Sequence, residues 1–128
     1  MFTSDNAFSG FSVDDLAAAK HFYGSVLGLR VDENAMGFLE IELASGARVL
    51  AYTKPHHEPA SYTMLNFEVD DVEAAVDDLN ARGVVTKIYS DPDFGTDEKG
   101  IVRGNGQGPD IAWFTDPAGN VLSVLHSN

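Results

Sequence analysis

Polar and charged side chains occupy every second position of several predicted strands. In residues 38–43 two carboxylates alternate with leucine and isoleucine, so the carboxylates would face away from an apolar core. The polar residues predicted on such faces are Glu40, Glu42, Arg48, Tyr52, Lys54, Asn66 and Glu68. Inside a closed cavity, one of these carboxylates could act as a general base. On a wet sheet face, the same side chains would be solvated or would form ion pairs, such as Arg48 with Glu40.

Apolar and aromatic side chains accompany this polar group. Trp113 lies in a predicted strand beside apolar positions of other strands, namely Phe8, Leu50 and Met64. A cavity lined by these side chains would bind an aromatic or planar ligand through burial and stacking. An ordinary core position is the alternative interpretation of Trp113.

The histidines are weaker candidates. His56, His57 and Glu58 are adjacent in a segment that contains two prolines, and adjacent loop residues point in different directions. This favours a solvated loop over a metal site. His21 lies in a predicted helix and His126 lies near the C-terminus, where we expect surface positions.

The elements that carry these residues occur twice. Residues 13–19 begin Val-Asp-Asp-Leu, and residues 69–75 repeat this as Val-Asp-Asp-Val 56 positions later. Each copy follows an apolar run and opens an amphipathic helix that ends at a glycine, Gly28 or Gly83. Two copies of one supersecondary unit are therefore predicted, with a ligand cleft between them.

The predicted fold class is α+β, built from two tandem βαβββ modules that form a curved mixed sheet cup. Module one spans residues 5–54, a linker covers 55–60, and module two spans 61–127. The predicted strands are residues 8–13, 38–43, 48–53, 62–69, 84–89, 111–115 and 121–125, and the predicted helices are residues 14–27 and 70–82.

The second module has about 17 more residues than the first between its helix and its last hairpin. This excess lies in residues 91–110, which contain five glycines and two prolines. A loop of this length is usually functional, so we predict a flap over the cleft. Lys99 and Arg103 could close on an anionic ligand from this flap, and the alternative is a mobile surface loop.

Composition excludes several classes of function. The 128-residue chain has a net charge of -12, which repels phosphate backbones and anionic membranes, so we expect neither nucleic acid nor a membrane as partner. It contains no cysteine, which excludes thiolate metal sites and cysteine nucleophiles. With no signal-peptide pattern and no long apolar run, we expect a cytoplasmic protein.

The motifs together resemble the vicinal oxygen chelate superfamily, which includes glyoxalase I, extradiol dioxygenases, and bleomycin- and fosfomycin-resistance proteins. The resemblance covers residues 8–125. It implies paired βαβββ modules with a cavity on the concave sheet faces, and a homodimer. The matching segments are the first helix start, His21-Phe22-Tyr23, Leu27-Gly28-Leu29, Phe67-Glu68-Val69-Asp70-Asp71 and the turn Asp116-Pro117-Ala118-Gly119-Asn120.

Catalytic members of the superfamily hold a divalent metal at four strand positions. The resemblance places these on Phe8, Leu50, Met64 and Ser123. None is a usual ligand for a hard or borderline divalent ion. We therefore predict no cofactor and no metal, and a small-molecule-binding protein with its ligand in the cup between the modules.

The ligand expected from the aromatic lining and the acidic charge is aromatic or cationic. The alternative is a divalent-metal-dependent lyase, isomerase or dioxygenase whose ligands have shifted to Glu40, Glu42, His56 or Asn66. A third alternative is a partner subunit with an organic cofactor or no ligand. The predicted ligand-binding residues are Phe8, Glu40, Glu42, Arg48, Leu50, Tyr52, Met64, Asn66, Trp113 and Ser123.

Overall fold

The chain folds into two compact units, Met1–Pro59 and Ala60–Asn128. A computed structural model describes residues 1–90 and 95–127. Each unit contains a four-stranded mixed sheet and one helical segment in the order βαβββ. The α+β class and the two tandem βαβββ repeats predicted from the sequence are confirmed.

The first unit has the strand order β1-β4-β3-β2, with β1 parallel to β4 and the other pairs antiparallel. Its core includes the aromatic side chains of Phe11, Phe22 and Tyr23. Its elements are β1 (Ser9–Val13), α1 (Leu16–Lys20) continued by a π-helix (His21–Val26), β2 (Arg30–Glu33), β3 (Leu39–Glu42) and β4 (Arg48–Thr53).

The second unit repeats this order as β5-β8-β7-β6, with β5 parallel to β8. The helix packs Val72, Val76 and Leu79 against the sheet side that carries Phe114 and Leu122. Its elements are β5 (Thr63–Glu68), α2 (Val72–Ala81), β6 (Ile101–Val102), β7 (Asp110–Thr115) and β8 (Val121–His126).

The repeated aspartates cap both helices in the same way. Asp15 and Asp71 have extended backbones, and each side chain accepts a hydrogen bond at 3.1 Å from the backbone N–H three residues later. The glycines that follow the helices have φ of 76° at Gly28 and 86° at Gly83, which side chains rarely adopt. The predicted aspartate caps and glycine stops are confirmed, and both helices begin two residues later than predicted. In the described part of the chain, no helix has the length and apolarity needed to cross a membrane.

The predicted strand at residues 84–89 is wrong, because these residues have no regular secondary structure. Side chains take the place of strand partners for their carbonyl groups. Asn80 Nδ2 donates to the Val84 carbonyl at 2.9 Å, and Thr96 Oγ1 donates to the Tyr89 carbonyl at 2.8 Å. The edge strand of the sheet, next to β7, is instead β6, which lies within residues that were predicted to form a flap.

The segment predicted as a flap is ordered by a turn at Asp97. Residues 91–94 of that prediction lie outside the described residues. The Asp97 carboxylate accepts hydrogen bonds from the backbone N–H groups of Lys99 and Ile101, both at 2.9 Å. Burial acts to raise the pKa of Asp97, but these two bonds and the nearby Arg103 guanidinium outweigh it and lower that pKa.

Lys99 and Arg103 contact α2. Lys99 Nζ lies 2.8 Å from the Asp77 carboxylate, and Arg103 Nη2 lies 2.9 Å from the Glu73 carboxylate. The hydrogen bond to Asp77 raises the pKa of Lys99. The two cations that were predicted to close on an anionic ligand are therefore paired with carboxylates of α2.

Candidate functional site

In the first unit, the sheet face opposite α1 carries a row of three directly paired residues. Glu40 of β3 pairs with Leu50 of β4, and Leu50 pairs with Gly10 of β1. The intervening residues are buried on the helix side, which confirms the predicted alternation. They are Leu39, Ile41, Val49 and Ala51.

A cavity of about 160 Å³ opens on this face. It brings together four residues predicted from the sequence, Phe8, Glu40, Arg48 and Leu50, and adds Asn34. Pockets that enclose a drug-sized ligand usually measure about 300–1,000 Å³. The cavity therefore has room for a single substituted ring or a molecule of similar size.

Arg48 forms an ion pair within the cavity. Its Nη1 donates to Glu40 Oε1 at 3.1 Å, although its directly paired residue across the strands is Glu42. Glu42 instead lies 3.5 Å from the Nε of Arg30 and lines a separate groove. Glu42 is therefore not part of the cavity, and the predicted Arg48–Glu40 pair is present.

The Arg48–Glu40 pair is accessible to a ligand. The Arg48 side chain is 62% exposed and the Glu40 side chain is 32% exposed, so the pair itself stabilises the fold by only about 0–1 kcal/mol. Among the described residues, the Arg48 side chain has no hydrogen-bond or ion-pair partner other than Glu40. Most of its five N–H donors can therefore bind a ligand.

Asn34 is a cavity residue that the sequence analysis missed. Its Oδ1 accepts hydrogen bonds from the backbone N–H groups of Met36 at 2.9 Å and Phe38 at 3.0 Å. These two donors fix the orientation of the amide, because only its oxygen can accept them. The Nδ2 group has no partner within the described residues. Asn34 lies three residues before Gly37, and this spacing could have indicated an asparagine side chain that holds a turn.

Tyr52 lies on the same face but further along β4. It is paired with Ser12 of β1, and its ring meets that of Phe38 edge-on at 6.1 Å. Ser12 in turn shares a 2.7 Å hydrogen bond with His57 Nδ1. Tyr52 is thus not among the residues that line the cavity.

In the second unit, the equivalent row is formed by Asn66 of β5, Ser123 of β8 and Trp113 of β7. Ser123 is fully buried, and its hydroxyl donates to Asn66 Oδ1 at 2.5 Å. Trp113 Nε1 donates to Thr63 Oγ1 at 3.1 Å, and its ring contacts Tyr89 edge-on at 5.3 Å. Three of the predicted residues therefore lie side by side on one sheet face.

Met64 falls at an irregularity in β5. The pairing with β8 shifts register between Thr63 and Leu65, so Met64 has no directly paired residue. The first strand of the other unit pairs regularly from Ser9 to Val13, with Phe8 just before it. The two repeats therefore differ in backbone structure at the aligned positions Phe8 and Met64.

The residues at the four positions aligned with metal ligands do not suit a divalent ion. Phe8 and Leu50 offer no lone pairs, and the thioether of Met64 prefers soft ions such as Cu(I). Ser123 donates its hydroxyl proton to Asn66, and an uncharged hydroxyl is not a usual ligand of Zn²⁺ or Ca²⁺. Within residues 1–90 and 95–127, no three His, Cys, Asp or Glu side chains are grouped as a metal site requires.

Solved structures with the same fold cover nearly the whole chain. A genomically encoded fosfomycin resistance protein from Listeria monocytogenes aligns with a TM-score of 0.71 at 15% identity, over 99% of this chain and 96% of its own. A glyoxalase family protein from Enterococcus faecalis aligns at 0.67 with 20% identity, over 98% and 99%. At these identities the likeness shows the fold alone.

An integron cassette protein from the mobile metagenome of the Halifax Harbour sewage outfall aligns at a TM-score of 0.70 with 18% identity, over 95% of this chain and 98% of its own. Comparison with curated protein sequences found no match. The sequence model of one family matches residues 8–124. The chain belongs to that family, the Glyoxalase/Bleomycin resistance protein/Dioxygenase superfamily.

Proposed function

We propose that the chain is a small-molecule-binding member of the superfamily that works without a metal ion. The observation that carries this proposal is the chemistry at the aligned metal positions. Leu50 and Phe8 line a cavity of about 160 Å³, and the Ser123 hydroxyl is bonded to Asn66. The apolar side chains and the hydrogen-bonded hydroxyl at these positions suit the burial of an organic molecule better than the coordination of an ion.

The lining favours a ligand with an aromatic ring. Phe8 is 63% exposed, so a ring that stacks on it would remove a large apolar area from water. The net charge of -12 favours the approach of a cation over that of an anion. That the site is shared between the two modules, that residues 91–110 close it and that the protein is a homodimer stay predictions from the sequence.

A thermal-shift screen of aromatic compounds, including cationic ones, tests the proposal. We expect compounds with a single substituted ring to raise the melting temperature, because a ligand that binds only the folded state stabilises it. Leu50→Gln should abolish this shift by placing an amide in the cavity lining. Val85→Gln is the matched control, since Val85 is 65% exposed and lies outside the cavity. No stabilisation by any compound would contradict the proposal.

A metal-dependent lyase, isomerase or dioxygenase would need ligands from Glu40, Glu42, His56 or Asn66. No contact favours these four residues as metal ligands, because three of them already have an ion-pair or hydrogen-bond partner. Glu40 and Glu42 bind arginines, and Asn66 accepts the Ser123 hydroxyl. Elemental analysis after purification without chelator separates the two functions. Stoichiometric zinc, nickel, manganese or iron would replace our proposal with the enzyme.

A further inference from the structure

We propose that the cavity of the first unit selects an uncharged aromatic carboxamide over the carboxylate or the amidinium of the same ring. This inference rests on the proposed function, since it specifies the ligand class of that cavity. It is carried by three polar groups that surround an apolar lining, namely the side chains of Asn34, Glu40 and Arg48.

Two of these groups are donors that face a common space. The Asn34 amide is held by two backbone N–H groups that occupy its oxygen, which leaves Nδ2 as a donor. Arg48 is held through Nη1 by Glu40 and retains further N–H groups. A ligand carbonyl oxygen can accept from both residues through its two lone pairs.

The third group is an acceptor. Arg48 binds Oε1 of Glu40, and among the described residues Oε2 has no partner. The N–H₂ of a carboxamide can donate to this oxygen while its carbonyl binds Arg48 or Asn34. Phe8 and Leu50 supply the apolar contact for the ring. A primary aromatic amide thus matches the donors, the acceptor and the apolar surface together.

Charge separates this ligand from its relatives. The Arg48–Glu40 pair is neutral as a unit, so neither sign of ligand charge gains a full counter-ion. A carboxylate would meet the second oxygen of Glu40 and the field of a chain with net charge -12. The same field attracts an amidinium, but within the cavity its charge would meet the Arg48 guanidinium, and it offers no acceptor to Asn34 or Arg48, so the hydrogen bonds that the amide carbonyl accepts from them are lost.

Benzamide, benzoate and benzamidine test this, because they share one ring and differ in the polar substituent. We expect benzamide to bind about fivefold more tightly than either relative, as one well-formed hydrogen bond is worth about that factor. Binding is measured by titration of ¹⁵N-labelled full-length protein, following the backbone resonances around Leu50.

Two variants test whether Asn34 and Glu40 produce the preference for benzamide. Asn34→Asp keeps the acceptor for both backbone N–H groups but removes the donor, so benzamide affinity should fall about fivefold with an unchanged melting temperature. Glu40→Gln should improve benzoate binding relative to benzamide, which a purely structural role of Glu40 would not produce. Arg82→Gln, which removes an ion pair on α2, is the control and should change neither affinity.

Benzoate or benzamidine binding as tightly as benzamide would overturn the inference, and so would an unchanged benzoate-to-benzamide ratio in Glu40→Gln. If other aromatic compounds bind with sensitivity to Leu50→Gln while benzamide does not bind, this inference fails and the proposed function stands. If no compound binds, both fail.

Discussion

Replacing Asp116 by alanine is expected to destabilise the second unit by several kcal/mol. This residue begins the turn between β7 and β8 and is 3% exposed. Its carboxylate accepts hydrogen bonds from the backbone N–H of Ala118 at 3.0 Å, from the backbone N–H of Asn120 at 2.9 Å and from Asn120 Nδ2 at 3.0 Å. The turn thereby sets the register that pairs Trp113 with Ser123.

The magnitude follows from the donors that alanine would leave without this acceptor. Two of them belong to Asn120, which is 4% exposed, and each buried unsatisfied donor costs about 1–3 kcal/mol. The Ala118 N–H is only partly buried and can turn to water, so it adds less. The expected loss for Asp116→Ala is about 4 kcal/mol. A domain is stable by about 5–15 kcal/mol in total, so this loss is a large fraction.

Asp116→Asn is the matched control. Its Oδ1 can still accept both backbone N–H groups, but its N–H₂ would face the N–H₂ of Asn120. We expect a smaller loss of about 1–3 kcal/mol, from this one mismatched contact.

Urea denaturation at pH 7 measures both losses. It is followed by the fluorescence of Trp113, the only tryptophan, which reports the second unit. An unchanged m-value is required for the comparison. A loss below about 1 kcal/mol for Asp116→Ala, or a loss for the asparagine variant larger than that for the alanine variant, would show that these hydrogen bonds do not hold the turn.

Two further predictions concern the segment around β6 and use the same assay. The folded-state pKa of Asp97 lies below its ordinary value of 3.8, so its charge stabilises the fold above about pH 4 and this contribution is lost as the pH falls through the lowered pKa. The stability difference between the native protein and Asp97→Asn should therefore shrink between pH 7 and pH 3, and a constant difference would contradict this. Gly100→Ala should cost more than about 2 kcal/mol, because a Cβ would lie 2.0 Å from the Thr86 carbonyl oxygen. Gly106→Ala, in the same unit with a similar φ and open space around it, should cost about 1 kcal/mol, and equal losses would show that the close contact is unimportant.

The repeat made the scaffold predictable from sequence. Asp15 and Asp71 cap their helices with the same geometry, because the local sequence provides both the capping side chain and the turn that follows. Strand alternation placed Leu39 and Ile41 in the core and Glu40 on the opposite face. Local periodicity is sufficient for these assignments, since each concerns residues close in sequence.

Long-range pairing was not predictable in the same way. Residues 84–89 have strand-like composition, but Asn80 and Thr96 satisfy carbonyl groups there, and no strand forms. Strand β2 contains a single apolar residue, Val31, so its pattern gave no strand signal. Whether a segment at the edge of a sheet forms a strand depends more on its packing against neighbouring strands than on its own β-propensity.

The candidate site was predicted in part for a related reason. Phe8, Glu40, Arg48 and Leu50 come together because strand registers align them. Asn34 was missed because it reaches the cavity from a turn. The pairing of Lys99 with Asp77 and of Arg103 with Glu73 was not predictable from local pattern, because these partners are 22 and 30 residues apart in sequence.

The proposed function requires an organic molecule to bind in the cavity without a metal ion. The direct test is a calorimetric titration of the tightest-binding aromatic compound from the thermal-shift screen, performed in EDTA and again with added Mn²⁺ or Zn²⁺. We expect saturable binding with the same Kd in both conditions and loss of binding in Leu50→Gln. Binding that occurs only with the metal would contradict it.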